Sequence, residues 1–264
     1  MKKITLITVC YNSAGTVADT LKSVNEQIYE NIEHIIIDGA STDNTLDVVK
    51  KLGQRVTKVI SEPDKGIFDA YNKGLALASG EIIGILNSDD FYFDENVISK
   101  VMSVFDDPSV DACHANLIYV DSLDTNLVTR FWKSWDMTGR HLELGYMPAH
   151  PTLFLRREVY DRVGNFDLKR HPVADHDFCV RAFYIYDIRA LYINDLWVRM
   201  RNGGATGGSL RSIIKQNEQL LATLRKYGCN TSVYVFFSLK ILQRFVQFFR
   251  AKLFMINFRF KKIA

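Results

Sequence analysis

Two adjacent carboxylates, Asp89 and Asp90, close the polar run Asn87-Ser88-Asp89-Asp90 directly after an apolar stretch at 82–86. A carboxylate pair at a strand end suits a hard divalent cation, and such a cation can bridge a diphosphate. Adjacent aspartates are also common turn and cap residues. Asp38 ends a second apolar run at 34–37. There it could accept hydrogen bonds from a ribose or base, or cap a helix that begins near Asp43. Neither GxGxxG nor GxxxxGK[ST] is present, so the usual glycine-rich phosphate loops are missing. If a nucleotide binds, Asn87 to Asp90 is the candidate for meeting its phosphates. The four cysteines, Cys10, Cys113, Cys179 and Cys229, are far apart and form no CxxC or His-Cys cluster. That argues against a zinc site or a redox dithiol, and free thiols fit a reducing compartment.

The elements that must hold these residues follow from periodicity. Residues 4–9 read as a buried strand, and Val17, Leu21, Val24 and Ile28 follow at helical spacing, with Asn12 or Ser13 placed to cap. Strands are expected at 34–37, 56–61 and 82–86. Helices are marked by Leu46, Val49 and Leu52, and by Ile67, Ala70, Leu75 and Ala78 with a stop at Gly80. This alternation predicts an α/β protein, a Rossmann-like, mainly parallel sheet with helices on both faces. Ligands of such sheets sit beyond the carboxyl ends of the strands, where this chain places Tyr11-Asn12, Asp38, Glu62-Pro63-Asp64 and Asn87 to Asp90. Beyond about residue 105 the alternation weakens. Strands are expected at 112–120 and 188–199, and helices at 156–163, 175–185 and 209–227.

The 264 residues are 47% hydrophobic, 24% charged and 12% aromatic, enough for one large domain, or one domain with an appendage, and unlike a disordered chain or a disulfide miniprotein. The net charge of +3 hides an asymmetry. Nine of the 33 basic residues and none of the 30 acidic ones lie after Glu218, so residues 1–218 are net acidic. An acidic body disfavours nucleic acid as a partner. The opening Met1-Lys2-Lys3-Ile4-Thr5 runs straight into a strand and has no signal-peptide pattern, which suits a cytoplasmic location.

Five motifs in fixed order add to these separate signals: Thr8-Val9-Cys10-Tyr11-Asn12, Ile37 to Asp43, Glu62 to Ala70, Asn87 to Asp90, and Ala174-Asp175-His176-Asp177-Phe178. The set closely resembles the family 2 glycosyltransferases of GT-A fold, over roughly residues 1–210. It is most similar to the non-processive bacterial enzymes of O-antigen and surface-polysaccharide assembly. The resemblance implies a GT-A domain over 1–228 and a tail over 229–264. It implies that Thr8, Tyr11, Asn12 and Asp38 line the base and ribose pocket of a nucleotide sugar, with Asp69 and Asn72 at its floor. Asp89 and Asp90 match the family's DxD-type element, which holds Mn²⁺ or Mg²⁺ on the diphosphate. Asn87 stands in the first position of the fuller form, so either Asp89 or Asp90 could be the direct ligand. Asp175 matches the general base, with Asp177 two residues on as an alternative. The processivity signature Gln-x-x-Arg-Trp is absent; Arg199-Met200-Arg201-Asn202-Gly203-Gly204 stands near its place. That basic loop is either a closing or pyrophosphate-gripping element or a surface turn. His150 either touches the acceptor or is structural.

The implied reaction is an inverting transfer from a UDP-hexose, UDP-glucose foremost, to a saccharide on undecaprenyl diphosphate. A nucleotidyltransferase and a non-catalytic nucleotide-sugar-binding scaffold are the alternatives. The first normally needs a basic glycine-rich loop after the first strand, which residues 8–15 lack. The tail bears on the acceptor. Residues 234–256 are rich in Phe, Leu, Ile and Val, but Lys240, Arg244 and Arg250 interrupt them, so they fall short of a membrane span. Lys240, Gln243, Arg244, Gln247 and Arg250 share one helical face, and apolar residues cover the rest. Such a helix suits the surface of an anionic bilayer on the inner face of the plasma membrane. The alternative is a helix packed on the body with a solvated basic face.

Overall fold

The computed structural model describes residues 1–203 and 210–263. The first half alternates strictly: β1 (Ile4–Cys10), α1 (Val17–Asn25), β2 (Ile32–Asp38), α2 (Thr45–Leu52), β3 (Val56–Ser61), α3 (Ile67–Leu77) and β4 (Ile82–Ile85). β1 is buried at all seven positions, as a central parallel strand covered on both faces must be. Its side chains alternate between two cores. Ile7 and Val9 join Ile35, Ile37, Phe68 and Phe178 on one face, whereas Ile4 and Leu6 join Val24, Val97 and Val101 on the other.

The second half is less regular: β5 (Phe91–Tyr92), α4 (Val97–Val104), β6 (Ala112–Val120), β7 (Val128–Trp132), α5 (Gly139–Glu143), β8 (Phe154–Arg156), α6 (Arg157–Val163), α7 (Ala174–Val180), β9 (Ala190–Arg201), α8 (Leu210–Lys226) and α9 (Val233–Ile263). Among the described residues nine strands make one sheet, in the order β3-β2-β1-β4-β8-β6-β9-β5, with β7 beside β6. β3, β2, β1 and β4 are mutually parallel, as are β6 and β9. β8 runs antiparallel between β4 and β6, and β5 and β7 are antiparallel edge pieces. The expected α/β sheet is therefore present. The antiparallel pieces are two, five and three residues long, too short to leave a period of their own.

Two local expectations change. Asn12 and Ser13 do not cap α1, which begins four residues after Ser13. Instead the Ser13 carbonyl accepts from Thr16 N and Val17 N at 3.0 and 2.9 Å, forming a turn ahead of the helix. The helix also stops at Asn25, leaving Ile28 exposed beyond it.

α9 is the other departure. It packs along β7, and its residues Phe236 and Ala251 are buried in the body's cores. The polar stripe is turned inward: Lys240, Gln243, Gln247 and Arg250 are half-buried, while Tyr234, Ile241, Leu242, Phe245, Phe248, Phe249 and Leu253 are exposed. The solvated basic face expected of a packed helix is thus reversed, Arg244 alone of the stripe being exposed. Among the described residues no helix is long and apolar enough to cross a membrane.

The junction between the two halves depends on Gly84, which pairs with Phe154 across β4 and β8. A Cβ on Gly84 would lie 2.3 Å from Phe154 Cε1, and Phe154 is itself buried edge-on to Trp197 at 5.8 Å. Gly84→Ala is expected to destabilise the protein by about 1–3 kcal/mol, the range for overpacking a filled core, read as a lower denaturant midpoint in chemical unfolding.

Candidate active site

The site lies where β1, β2 and β4 end. Past β1, Asn12 takes φ 48°, and past β2, Ala40 takes φ 61°. The left-handed region is accessible to asparagine and costly for alanine. The turn at Ala40 lets Ser41 fold back onto Asp38. Asp38 Oδ1 accepts from Ser41 Oγ at 2.5 Å, and Oδ2 accepts from Ser41 N and Ser61 Oγ at 2.9 and 2.7 Å. The two turns are stitched together, with Asn12 N donating to Ser41 Oγ at 2.8 Å and Thr42 N to Asn12 Oδ1 at 2.9 Å. Gly39 completes the wall. A Cβ there would stand 2.5 Å from Asp64 Oδ2 and 3.4 Å from Tyr11 Cδ2, so its absence brings Tyr11 and Asp64 together. Tyr11 is 65% exposed, a flat ring offered to solvent beside a strand-end turn.

Other residues expected here are occupied elsewhere. Thr8 is buried, its Oγ1 3.0 Å from Nε2 of His34, whose pKa burial pushes down to about 4. Its side chain faces the sheet interior rather than a pocket. Asn72 is spent on a clamp: its Nδ2 donates to the Phe166 carbonyl at 2.9 Å, and Phe166 N donates to its Oδ1 at 3.0 Å. Asp69 Oδ2 accepts from Lys65 N at 3.0 Å and lies 3.9 Å from Lys73 Nζ, so it fixes the turn before α3.

The carboxylate turn follows β4. Thr20 Oγ1 donates to the Asp90 carbonyl at 2.7 Å, and Arg201 Nη1 to the Asp89 carbonyl at 3.0 Å. Arg201 also pairs with Asp19. Asp90 is fully buried and its Oδ1 has no partner. Burial, with the charge of Asp89 second, holds its carboxyl well above the usual range, and burial raises Asp89 too. A buried carboxylate oxygen without a donor, next to a second carboxylate, fits a divalent cation. Among the described residues no third His, Cys, Asp or Glu joins the pair. Phosphate oxygens and water would therefore complete the coordination.

Asp175, on the first turn of α7, shares one electrostatic neighbour with this turn, Tyr71. Tyr71 OH donates to Asn87 Oδ1 at 2.6 Å, its ring lies 5.9 Å from that of His150, and its hydroxyl is raised well above its usual pKa by burial and then by Asp175, Asp90 and Asp89. The carboxylates of both motifs thus act on one phenol. Burial raises Asp175, while the charges of His150 and Lys240 oppose that rise.

The family model for glycosyl transferase family 2 matches residues 5–164. The chain belongs to this family. The match covers the strand-end turns and the Asp89–Asp90 pair, and ends before Asp175 and α9. Among relatives, the PGL/p-HBAD biosynthesis glycosyltransferase of Mycobacterium tuberculosis is 27% identical over 176 residues, 65% of this chain and 66% of that protein. An uncharacterized glycosyltransferase of Nostoc is 29% identical over 209 residues, 75% of this chain and 65% of that protein. The chain thus spans about two thirds of the length of these relatives. Two solved structures share the fold. TarS 1–349 of S. aureus in complex with UDP-GlcNAc has a TM-score of 0.65 at 18% identity, covering 84% of this chain and 66% of that one. The mannosyltransferase PcManGT of Pyrobaculum calidifontis in complex with GDP-Man and Mn²⁺ has a TM-score of 0.64 at 20% identity, covering 86% and 64%.

Within this family 2 chain, Asp175 and Asp177 have different surroundings. Asp177 is fully buried, accepting from Arg181 Nε at 3.0 Å and Tyr227 OH at 3.0 Å, with Arg170 and Lys226 at 3.7 and 3.9 Å. It ties α7 to α8 and has no oxygen left for chemistry. Asp175 accepts only from His176 N, at 2.8 Å to Oδ1, among its recorded bonds. Arg199 and Arg201 do not form a mobile loop: both lie on β9, Arg199 stacked 4.7 Å from the Phe93 ring and Arg201 buried behind the Asp89 turn. Gly203 follows at φ 99°; Gly204 lies outside the described residues. Tyr71 and Tyr227 were not singled out by sequence. The available signal for Tyr71 was its place four residues after Ile67, a polar-tipped ring on the apolar face of α3. Asp177→Ala is expected to cost about 3 kcal/mol in denaturant unfolding, the lower end for breaking a buried ion pair. Asp175→Asn is expected to leave the midpoint in place.

Proposed function

We propose that this chain is an inverting hexosyltransferase. It would move one sugar from a nucleotide-sugar donor, a UDP-hexose with UDP-glucose foremost, to a saccharide linked through diphosphate to undecaprenol, forming a β-linkage in O-antigen, capsule or exopolysaccharide assembly. The observation that carries this reading is the convergence of Asp89, Asp90 and Asp175 on Tyr71. The complexes of TarS with UDP-GlcNAc and of PcManGT with GDP-Man and Mn²⁺ support a nucleotide-sugar donor.

The base of the nucleotide would lie against Tyr11 in the Asn12–Ser41 turn, its ribose toward Asp38. Asp38 would exchange one of its serine donors for a ribose hydroxyl. Mn²⁺ or Mg²⁺ held by Asp89 and Asp90 would neutralise charge on the diphosphate as it leaves. Arg201 and Thr20, by gripping the turn's carbonyls, hold these carboxylates in place before the donor arrives. The acceptor hydroxyl would attack the anomeric carbon from the side opposite the diphosphate. As the new C–O bond forms and the bond to phosphate oxygen breaks, the hydroxyl proton passes to Asp175. A single displacement of this kind inverts the anomeric centre. His150, whose pKa burial lowers and the charge of Asp175 raises, and the cationic Lys240 would set the orientation and ionisation of Asp175. The exposed apolar face of α9 supports a peripheral seat on the cytoplasmic face of the membrane for the 229–264 tail.

A panel of UDP-, GDP- and dTDP-sugars with a synthetic lipid-diphosphate saccharide, with and without Mn²⁺, tests the reading. Metal-dependent release of UDP and a product of inverted configuration are expected. Asp175→Asn should lower transfer by about a thousandfold, within the range for lost general-base catalysis, and full transfer in that variant overturns the assignment. Because Asp175 must be unprotonated and burial raises its pKa, the acid limb of kcat/KM should lie above the ordinary carboxylate range. Activity should fall as the pH drops through that limb. For the tail, Phe245→Ser with Phe249→Ser should weaken sedimentation with phosphatidylglycerol vesicles at least about tenfold, since each exposed ring contributes buried apolar area.

A further inference from the structure

The inward-turned stripe of α9 faces a groove of about 190 Å³. Gln243, Gln247 and Arg250 form one wall; Ser134, Trp135 and Tyr146 form the other. Trp135 and Tyr146 are half-buried and meet edge to face, their centroids 4.5 Å apart at 83°, which leaves ring surface open to the groove. Two polar atoms on the groove's lining are unmatched: Ser134 Oγ, on a residue 3% exposed, and Gln243 Nε2, both buried without a hydrogen-bond partner. Buried polar atoms are rarely left so in a finished structure. A hydroxyl, two side-chain amides and a guanidinium beside aromatic faces are the groups that recognise a sugar ring, whose C–H face packs on an aromatic ring and whose rim of hydroxyls needs donors and acceptors.

Both walls adjoin residues whose charges act on Asp175. On α9, Lys240 lies one turn before Gln243 on the same face; its Cε borders the position a Gly145 Cβ would take, at 3.2 Å, and its charge acts on Asp175 and His176. On the opposite wall, Tyr146 and Met147 run into His150, whose charge also acts on Asp175. Lys133 and Arg250 add positive charge to the lining. The exposed Leu242 borders the groove and joins it to the outer apolar face of α9.

We propose that this groove is the seat of the acceptor saccharide. Its ring would lie on Trp135 and Tyr146, Ser134, Gln243 and Gln247 would meet its hydroxyls, and its reacting hydroxyl would reach Asp175 between Lys240 and His150. The phosphate-bearing end of the acceptor points to Lys133 and Arg250, and its lipid to the apolar face of α9. This rests on the transferase reading above and adds to it the residues that choose the acceptor.

The test uses the full chain and a panel of hexosyl diphosphates bearing a short alkyl chain. Binding is followed by calorimetry, and nucleotide release from the donor is followed with and without the acceptor. Gln247→Ala, Gln243→Ala and Trp135→Ala are expected to weaken acceptor binding at least tenfold and to lower the ratio of transfer to donor hydrolysis at least tenfold. Gln247 is half-buried on a helix surface, so its variant remains informative should Trp135→Ala unfold. Variants that bind and use the acceptor as the unaltered chain does overturn the proposal, as does failure of every panel member to bind the unaltered chain. If that chain binds the saccharides in a Gln247-dependent way yet releases nucleotide from no donor, the transferase reading fails and the groove stands as a saccharide site.

Discussion

Three carboxylates, Asp89, Asp90 and Asp175, act on one buried phenol, Tyr71, and burial raises the pKa of each. Much of the architecture answers that constraint. Carboxylates in such a setting resist ionisation, because burial penalises charge and each penalises the next. Arg201 is spent on the Asp19 side chain and the Asp89 carbonyl. It therefore fixes the turn, and its charge only partly offsets the effect of burial on the two carboxylates. The Asp89–Asp90 pair is thus left short of positive charge, a shortage that a divalent cation relieves and a folded core alone cannot. At Asp175 a different answer is built in, since His150 and Lys240 both favour its ionised form. On the proposed reading, one end of the site would take its cation from solution, and the other carries its own.

The same constraint explains why neighbouring carboxylates differ so much in their partners. Asp38 accepts from both Ser41 and Ser61, and Asp177 from Arg181 and Tyr227. Each is fully buried, and each is matched by donors. Asp90 is equally buried with an oxygen unmatched. Where a fold leaves one carboxylate unsatisfied among several that it satisfies, the exception marks the place where a ligand supplies what is missing.

How much of this could be read in the sequence depends on the range of the forces involved. β1 to β4 were legible because each is a short apolar run between helical stripes, and local periodicity suffices for that. The position of Asp89 and Asp90 at a strand end was legible because they closely follow such a strand. Thr8 and Asn72 have partners that local pattern cannot show, His34 and the Phe166 backbone, 26 and 94 residues away. Sequence order placed them near the site, and distant partners claimed their side chains. The different surroundings of Asp175 and Asp177 were hidden for the same reason: one of the two hydrogen-bond donors to Asp177, Tyr227, lies fifty residues on. β8 was invisible at three residues, since its position is set by Gly84 making room for Phe154.

α9 shows how an amphipathic pattern fixes a helix and two faces but not their directions. A polar stripe beside an apolar surface ordinarily implies polar outward and apolar inward. Here the body supplies β7 and the 132–147 segment, which are rich in aromatic rings and already hold unmatched polar atoms at Ser134. Against that surface, glutamines and cations are the better complement, and Tyr234, Phe245, Phe248 and Phe249 are left facing out. A soluble domain gains nothing from exposing so many large apolar side chains on one helix. The reversal makes sense if both faces have ligands of their own, a polar one within and an apolar one without. A lipid-linked saccharide has both characters in one molecule, and α9 is the element that lies between them.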